Sequence, residues 1–184
     1  MIEVRLVETE DDLVGIKKLQ LLNLPIQLSS AEKESQGFVT CEYSVEDLRR
    51  MNSPYPHVIA TDDKHVIAYC LVMMRHHKEI MPILLPMFDQ IDQARSNHES
   101  LGDRSYFVMG QICVSKEFRG QNIFYKMYDF LRDKMCHSFD LVITEISEFN
   151  TRSIRAHQNQ GFKSLLNYEA PNGHPWRIVY WNWT

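Results

Sequence analysis

The chain has 184 residues, 44% of them apolar, and a formal net charge of −4. That length supplies a sizeable core and nothing in it reads as a linker, so residues 1–184 are expected to form one domain. The charge balance offers no basic field to a nucleic-acid backbone or an anionic membrane surface, and neither is an expected partner.

The opening Met1-Ile2-Glu3-Val4-Arg5 lacks the charged-then-apolar pattern of a signal segment, and Val4 and Leu6 alternate as in a strand. Thr9 is a candidate N-cap, with Glu10, Asp11 and Asp12 placed where acids favour a helix start. The helix carrying Leu13, Ile16, Leu19 and Leu22 stops by Leu24, because Pro25 disfavours helical geometry in the residue before it. A polar segment follows at residues 29–36. Ser44 and Asp47 resemble a capping box and lead a short helix through Leu48 and Met51 to Ser53-Pro54. Next come His57 to Thr61 and His65 to Met73, two β-rich runs expected to form a hairpin around Asp62-Asp63-Lys64. Residues 79–93 are apolar at helical spacing through Ile80, Ile83, Leu84, Met87, Phe88 and Ile91, with Pro82 and Pro86 intruding near the start.

Tyr106 to Val114 is the next strand. A helix follows with Ile123, Met127, Phe130, Leu131 and Met135 on one face, and then a buried strand from Leu141 to Ile146. Asn150 opens a helix that ends at Gly161, a residue suited to the left-handed conformation after a helix. Phe162 to Tyr168 and Trp176 to Trp183 read as an antiparallel pair turning at Asn172-Gly173. The apolar stretches near Val66 to Met74 and Met81 to Phe88 are too short to span a bilayer. Cys41, Cys70, Cys113 and Cys136 are too widely spaced for a CxxC pair, which fits a reducing cytoplasm. Arg75-His76-His77-Lys78 is not expected to hold a metal, since neighbouring histidines on a strand point to opposite faces.

The junction Arg119-Gly120-Gln121-Asn122-Ile123-Phe124 joins an apolar strand to an amphipathic helix. The first four N–H groups of a helix have no partner inside it, so this turn aims free amides at an approaching anion. A phosphorylated ligand is therefore expected. The order strand, basic turn, helix, strand, Asn-led helix, Gly-Phe, strand resembles the GNAT superfamily of acyl-CoA-dependent N-acetyltransferases over residues 107–162. Its pyrophosphate turn is Arg or Gln, two residues, Gly, one residue, then Gly or Ala, and Arg119 to Phe124 matches it in part. Asn122 stands in place of the first motif glycine and Phe124 in place of the last small residue. Asn tolerates positive φ, whereas Phe124 fits only if its ring turns into the core. The second motif is matched by Asn150, Ser153, Ile154, His157, Gly161 and Phe162.

The resemblance implies an α/β fold with a central mixed, mostly antiparallel sheet of about seven strands flanked by helices. It implies acetyl-CoA as co-substrate, no metal, and transfer to a primary amine by direct attack in a ternary complex. Ile112, Cys113 and Val114 would offer backbone groups to the pantetheine and thioester. Arg119, Gly120, Gln121, Asn122, Ile123, Phe124 and Tyr125 would cradle the pyrophosphate, Asn150 would bond the pantetheine, and Ser153 would reach a phosphate. His157 stands where many members carry a tyrosine that protonates the leaving thiolate, and its ordinary pKa suits an acid near neutral pH. Glu145 resembles the general base of members that acetylate peptide N-termini; burial in an apolar strand would raise its pKa toward a useful range. A sheet-end carboxylate facing water is the alternative for Glu145, and Glu148 is a second candidate base. Cys113 is expected to pack as a buried thiol.

The acceptor, a small-molecule amine or a peptide N-terminus, would enter opposite the cofactor, between the first helices, residues 75–105 and the last hairpin. Tyr43, Phe88, Tyr168 and Trp176 are candidate wall residues, and Asp89, Asp92 and Glu99 could attract an amine. The assembly is expected to be a monomer or homodimer. Two other readings stay open: a non-catalytic acyl-CoA-binding regulatory or sensor module, and an interaction domain without a cofactor site if Phe124 blocks the turn.

Overall fold

A computed structural model of the chain describes residues 1–24, 39–63, 65–97 and 104–184. Among them the alternating runs become seven strands: β1 (Ile2–Leu6), β2 (Val58–Asp62), β3 (His65–Met73), β4 (Tyr106–Val114), β5 (Leu141–Ser147), β6 (Lys163–Glu169) and β7 (Pro175–Asn182). They lie in one sheet in the order β1-β2-β3-β4-β5-β7-β6. Every neighbouring pair is antiparallel except β4 and β5.

The helical periods become α1 (Glu10–Leu22), α2 (Val45–Met51), α3 (Leu85–Asn97), α4 (Ile123–Met135) and α5 (Thr151–Gln160). Both expected caps form, Thr9 bonding the amide of Asp12 and Ser44 that of Asp47, each with the reciprocal carboxylate bond. Asp12 also takes a two-pronged bond from Arg5 at 2.6 and 2.9 Å, which holds its carboxyl well below the usual range. The run at residues 79–93 differs from expectation. It opens with 3-10 turns at Arg75–His77 and Pro82–Leu84, and regular helix starts only at Leu85. Proline is tolerated in a first turn and not further in, so the two prolines set the start. His76 and His77 thus sit on a 3-10 turn rather than a strand, with ring centroids 4.1 Å apart. The expected polar segment at 29–36 and Glu99 lie outside the described residues.

Each sheet face has its own apolar cluster. Ile16, Leu48, Met51, Phe88 and Ile91 of α1, α2 and α3 pack on Ile59, Leu71 and Ile143. On the other face, Met127, Tyr128 and Leu131 of α4 pack on Val72, Phe107, Val142 and Val179. A fully buried aliphatic side chain contributes roughly 1.5–3 kcal/mol, so both faces are firmly anchored.

Two irregularities in β4 open the middle of the sheet. Leu71 opposes Gln111 and Val72 opposes Met109, leaving Gly110 bulged out of the β3 ladder. On its other edge β4 pairs with β5 only from Tyr106 opposite Leu141 to Val108 opposite Ile143. Thr144 Oγ1 then donates to the Met109 carbonyl at 2.8 Å, and beyond that bond the two strands part.

Candidate active site

The parting of β4 and β5 opens a cleft of about 250 Å³ between the end of β4, the following turn and the starts of α4 and α5. Most residues assigned to the cofactor from sequence meet in it. Ile112, Cys113 and Val114 line it from β4, Arg119, Gly120 and Asn122 from the turn, Ile123, Phe124 and Tyr125 from α4, and Asn150 and Ser153 from the start of α5. Gln121 is exposed and outside this lining.

The turn is shaped by two residues with positive φ, Gly120 at 80° and Asn122 at 60°. No atom lies within 4 Å of where a Cβ on Gly120 would sit, so its backbone conformation, and not space, requires the glycine. Asn122 accepts the amide of Lys126 at its carbonyl, 3.0 Å, and its side chain makes no cap. The amides of Ile123, Phe124 and Tyr125 therefore open the helix uncapped by a side chain, beside the cleft these residues line. Arg119 reaches across the mouth, its Nε donating to the Val114 carbonyl at 2.9 Å and its Nη2 to Asn23 Oδ1 at 2.8 Å. Burial pulls the Arg119 guanidinium below its ordinary value, and neighbouring Arg152, also in the lining, adds to that. An anion held between these two cations and the helix terminus would relieve their repulsion.

Phe124 turns its ring toward Tyr128 and His157, each with centroids 5.1 Å away and edge to face. His157 is 2% exposed and lies behind the cleft, outside its lining. Its Nδ1 faces the Ser153 carbonyl at 2.8 Å and its Nε2 the Tyr128 hydroxyl at 2.8 Å. Burial pushes its pKa down to about 4, so near pH 7 the imidazole is neutral, donating from Nδ1 and accepting at Nε2. Asn150 caps α5 through the Ser153 amide at 3.2 Å. Burial pushes the Cys113 thiol up to about 12, which removes the thiolate a covalent mechanism would need.

Glu145 faces the other side of the sheet. A small cavity of about 20 Å³ lies there, lined by Glu145 and Thr144 of β5, Met109 and Gly110 of β4, Thr40 and Cys41, Leu84 and Met87, and Trp176. The two cavities thus meet successive stretches of one strand, Met109–Gly110 and then Ile112–Val114. The Tyr168 hydroxyl donates to Glu145 Oε2 at 2.5 Å. Burial raises the Glu145 carboxyl to about 7, with the Tyr168 bond pulling the other way. Glu148 is engaged elsewhere, in a two-pronged pair with Arg177 at 3.0 Å.

Two of these arrangements are not evident in the sequence patterns. The Glu145 and Tyr168 contact follows from strand register alone: Leu166 and Glu145 both oppose Ile178 on β7, and Tyr168 follows Leu166 by one strand period. The other is a buried network. Gln111 Oε1 accepts from Gln20 Nε2 at 2.9 Å and from the Tyr69 hydroxyl at 2.6 Å, while its Nε2 donates to the Cys41 carbonyl at 2.8 Å. Gln20 Oε1 accepts the Tyr43 amide at 2.9 Å, completing a brace that fixes Cys41–Tyr43 against β4. Among the described residues, no cluster of three or more His, Cys, Asp or Glu side chains is placed to hold a metal ion, and no helix is long and apolar enough to cross a membrane.

Comparison with known proteins places the chain. The family described as "Acetyltransferase (GNAT) family" matches residues 25–162. No curated protein matches at the level of sequence. Among solved structures, the Drosophila melanogaster polyamine N-acetyltransferase superposes with a TM-score of 0.71 at 14% identity, covering 100% of both chains. A chain of the NatC complex bound to Gag peptide and CoA gives 0.68 at 17% identity, covering 100% of this chain and 99% of that one. The ribosomal-protein-S18-alanine N-acetyltransferase from Escherichia coli gives 0.64 at 12% identity, covering 99% and 94%. At such identities these likenesses speak to fold, and the fold is theirs.

Proposed function

This chain belongs to the acetyltransferase (GNAT) family, and from that premise we propose that it transfers an acetyl group from acetyl-CoA to a primary amine by direct attack within a ternary complex. The observation that carries this reading is the placement of two cavities against one strand. One is bordered by a helix terminus and two arginines, and the other holds a carboxyl poised near neutrality.

In this reading the amides of Ile123, Phe124 and Tyr125, with Arg119 and Arg152, hold the pyrophosphate, and the free edge of β4 beyond Val108 takes the pantetheine. Acetyl-CoA supplies the activated thioester. The amine enters beside Glu145 and gives up its proton to that carboxylate, directly or through one water. The nitrogen, now neutral, forms its bond to the acetyl carbon as the carbon–sulfur bond breaks, and the proton that the acylated nitrogen sheds passes through solvent to the departing thiolate. Positioning the two reactants supplies most of the barrier reduction, roughly 7–11 kcal/mol for well-oriented partners. His157 serves this scheme as a neutral spacer that fixes the Ser153 turn and the Phe124 ring, its one ring proton engaged by the Ser153 carbonyl and its other nitrogen by the Tyr128 hydroxyl, outside the cleft lining.

Two measurements test the reading. Calorimetric titration with acetyl-CoA and dephospho-CoA should show binding of both, and thiol release should depend on added amine. Absence of binding at millimolar acetyl-CoA, or thiol release that ignores the amine, would overturn it.

A further inference from the structure

The cavity beside Glu145 says something about the acceptor that the family alone does not. This inference rests on the reading of that cavity as the acceptor side. Around Glu145 its wall is apolar or neutral: Leu84 and Met87 from the segment after β3, Met109 from β4, and Trp176 from β7. Cys41 adds a thiol that burial pushes up to about 11, so it carries no charge near pH 7. Leu84 and Met87 are 5% and 1% exposed, which puts this part of the wall out of contact with bulk water.

Three carboxylates near the cavity are matched to cations of the protein itself. Glu42, next to Cys41, pairs with Lys17 at 2.7 Å. Glu148, one residue after β5, is held in the two-pronged pair with Arg177. Asp92, on the helix that carries Met87, pairs with Arg75. Glu145 is the one carboxylate among the described residues that line the cavity, so a second ammonium on the substrate would find no second carboxylate in this wall, and burying an unpaired charge against it is costly. The attacking nitrogen has a different fate, because it delivers its proton to Glu145 and reacts neutral.

We propose that the acceptor is a monocation: a primary amine whose remaining arm is apolar and uncharged, as in an alkylamine or a peptide beginning with an apolar residue. Polyamines are excluded as efficient substrates. A distal amine of ordinary pKa, about 10.4, stays charged at pH 7 to 8 and keeps its water only by staying out of the cavity. The acceptor's first few atoms thus act as the selectivity element, read by Leu84, Met87 and Trp176.

The experiment uses probes that differ by one charge at nearly constant length: pentylamine against cadaverine, and Met-Ala-amide against Lys-Ala-amide, each assayed for acetyl-CoA-dependent thiol release by the full chain. The singly charged member of each pair should show kcat/KM about tenfold or more above its partner. Thr40→Glu, at an exposed position on the rim, adds an unmatched carboxylate and should narrow or reverse the ratio with little effect on the midpoint shift produced by acetyl-CoA. Equal or better turnover of cadaverine and the Lys peptide by the unaltered chain would overturn this inference and leave the acetyltransfer reading standing. Thermal stabilisation by acetyl-CoA with no turnover of any of the four amines would overturn the acceptor placement, and this inference with it.

Discussion

Tyr168→Phe tests the proposed base through a partner that the reaction itself does not need. The phenol donates to Glu145 at 2.5 Å and favours the charged carboxylate, while burial opposes it and leaves the group titrating at about 7. A hydrogen bond to a charged group contributes roughly 1.5–3 kcal/mol, and about 1.4 kcal/mol corresponds to one pH unit. Deleting the hydroxyl should therefore move Glu145 upward by about 1–2 pH units. The assay is kcat/KM for thiol release between pH 5.5 and 9.5, expressed as variant over unaltered chain so that titration of the amine cancels. Where both carboxyls are protonated, the ratio should be about ten- to a hundredfold below its value at high pH, and it should climb through about pH 8 to 9, the variant's own titration, levelling only above that. Glu145→Gln should remove the limb near pH 7 altogether. A Tyr168→Phe ratio flat across the range would refute the chain from hydrogen bond to pKa to proton transfer.

Stability should respond to acid through His57 and His157, both buried and both pushed down from an ordinary 6.5 to about 4. The unfolded chain binds these protons first, so the stabilisation is complete above pH 6.5 and is lost as pH falls toward 4. At 1.36 kcal/mol per pH unit this is about 3 kcal/mol for each histidine, readable as a falling urea midpoint. Glu145 works in the opposite sense. Raised from 4.5 to about 7, it favours the fold below pH 4.5 and that contribution is lost as pH rises through 7, so Glu145→Gln should raise the midpoint at pH 8. Gln111→Leu leaves Gln20, Tyr69 and the Cys41 carbonyl without their partner and should cost about 1–3 kcal/mol for each group stranded. The same variant should raise KM for the amine more than for acetyl-CoA, because the freed segment Cys41–Tyr43 borders the Glu145 cavity. Gly120→Ala meets no atom but forces an L residue to φ 80°. It should cost about 1 kcal/mol and weaken acetyl-CoA binding, and calorimetry showing unchanged affinity would separate this turn from the ligand.

Local rules made much of the fold legible. The capping pairs Thr9 with Asp12 and Ser44 with Asp47, the amphipathic stripe of Ile123 to Met135, and Gly161 after α5 each follow from a few neighbouring residues, and each forms. The elements of the cleft were legible for the same reason, since the turn and the Asn-led helix are continuous segments that a single strand brings together. The Glu145 side was legible only in part: Glu145 and Trp176 stood out as single residues, but not the contacts that join them. Glu145 meets Tyr168 only because β7 lies between β5 and β6, an order no short window encodes. Phe124 is accommodated because His157 and Tyr128 receive its ring, a contact between α4 and α5. Gly110 reads as an ordinary small strand residue, and only the two registers with β3 reveal that it is bulged.

These features share a cause in β4. A strand inside a sheet pairs its N–H and C=O groups with both neighbours, and leaving them unpaired in an apolar interior is costly. β4 keeps its β3 edge to Val114 but surrenders its ladder with β5 after Val108 and its last bond to β5 at Met109, so alternate backbone groups beyond Met109 face an opening where a partner strand would lie. An extended ligand arm can pair there as a surrogate strand, which is why Ile112, Cys113 and Val114 need no particular side chains for the task. The side chain of Gln111 is free for a different duty, bracing the wall of the Glu145 cavity through Cys41, and the Gly110 bulge separates the two. A perturbation that re-zipped β4 to β5, such as cross-strand apolar substitutions at Gly110 and Glu145, should raise stability and abolish acetyl-CoA binding together. Gain of one without loss of the other would show that the missing edge is not what the ligand uses.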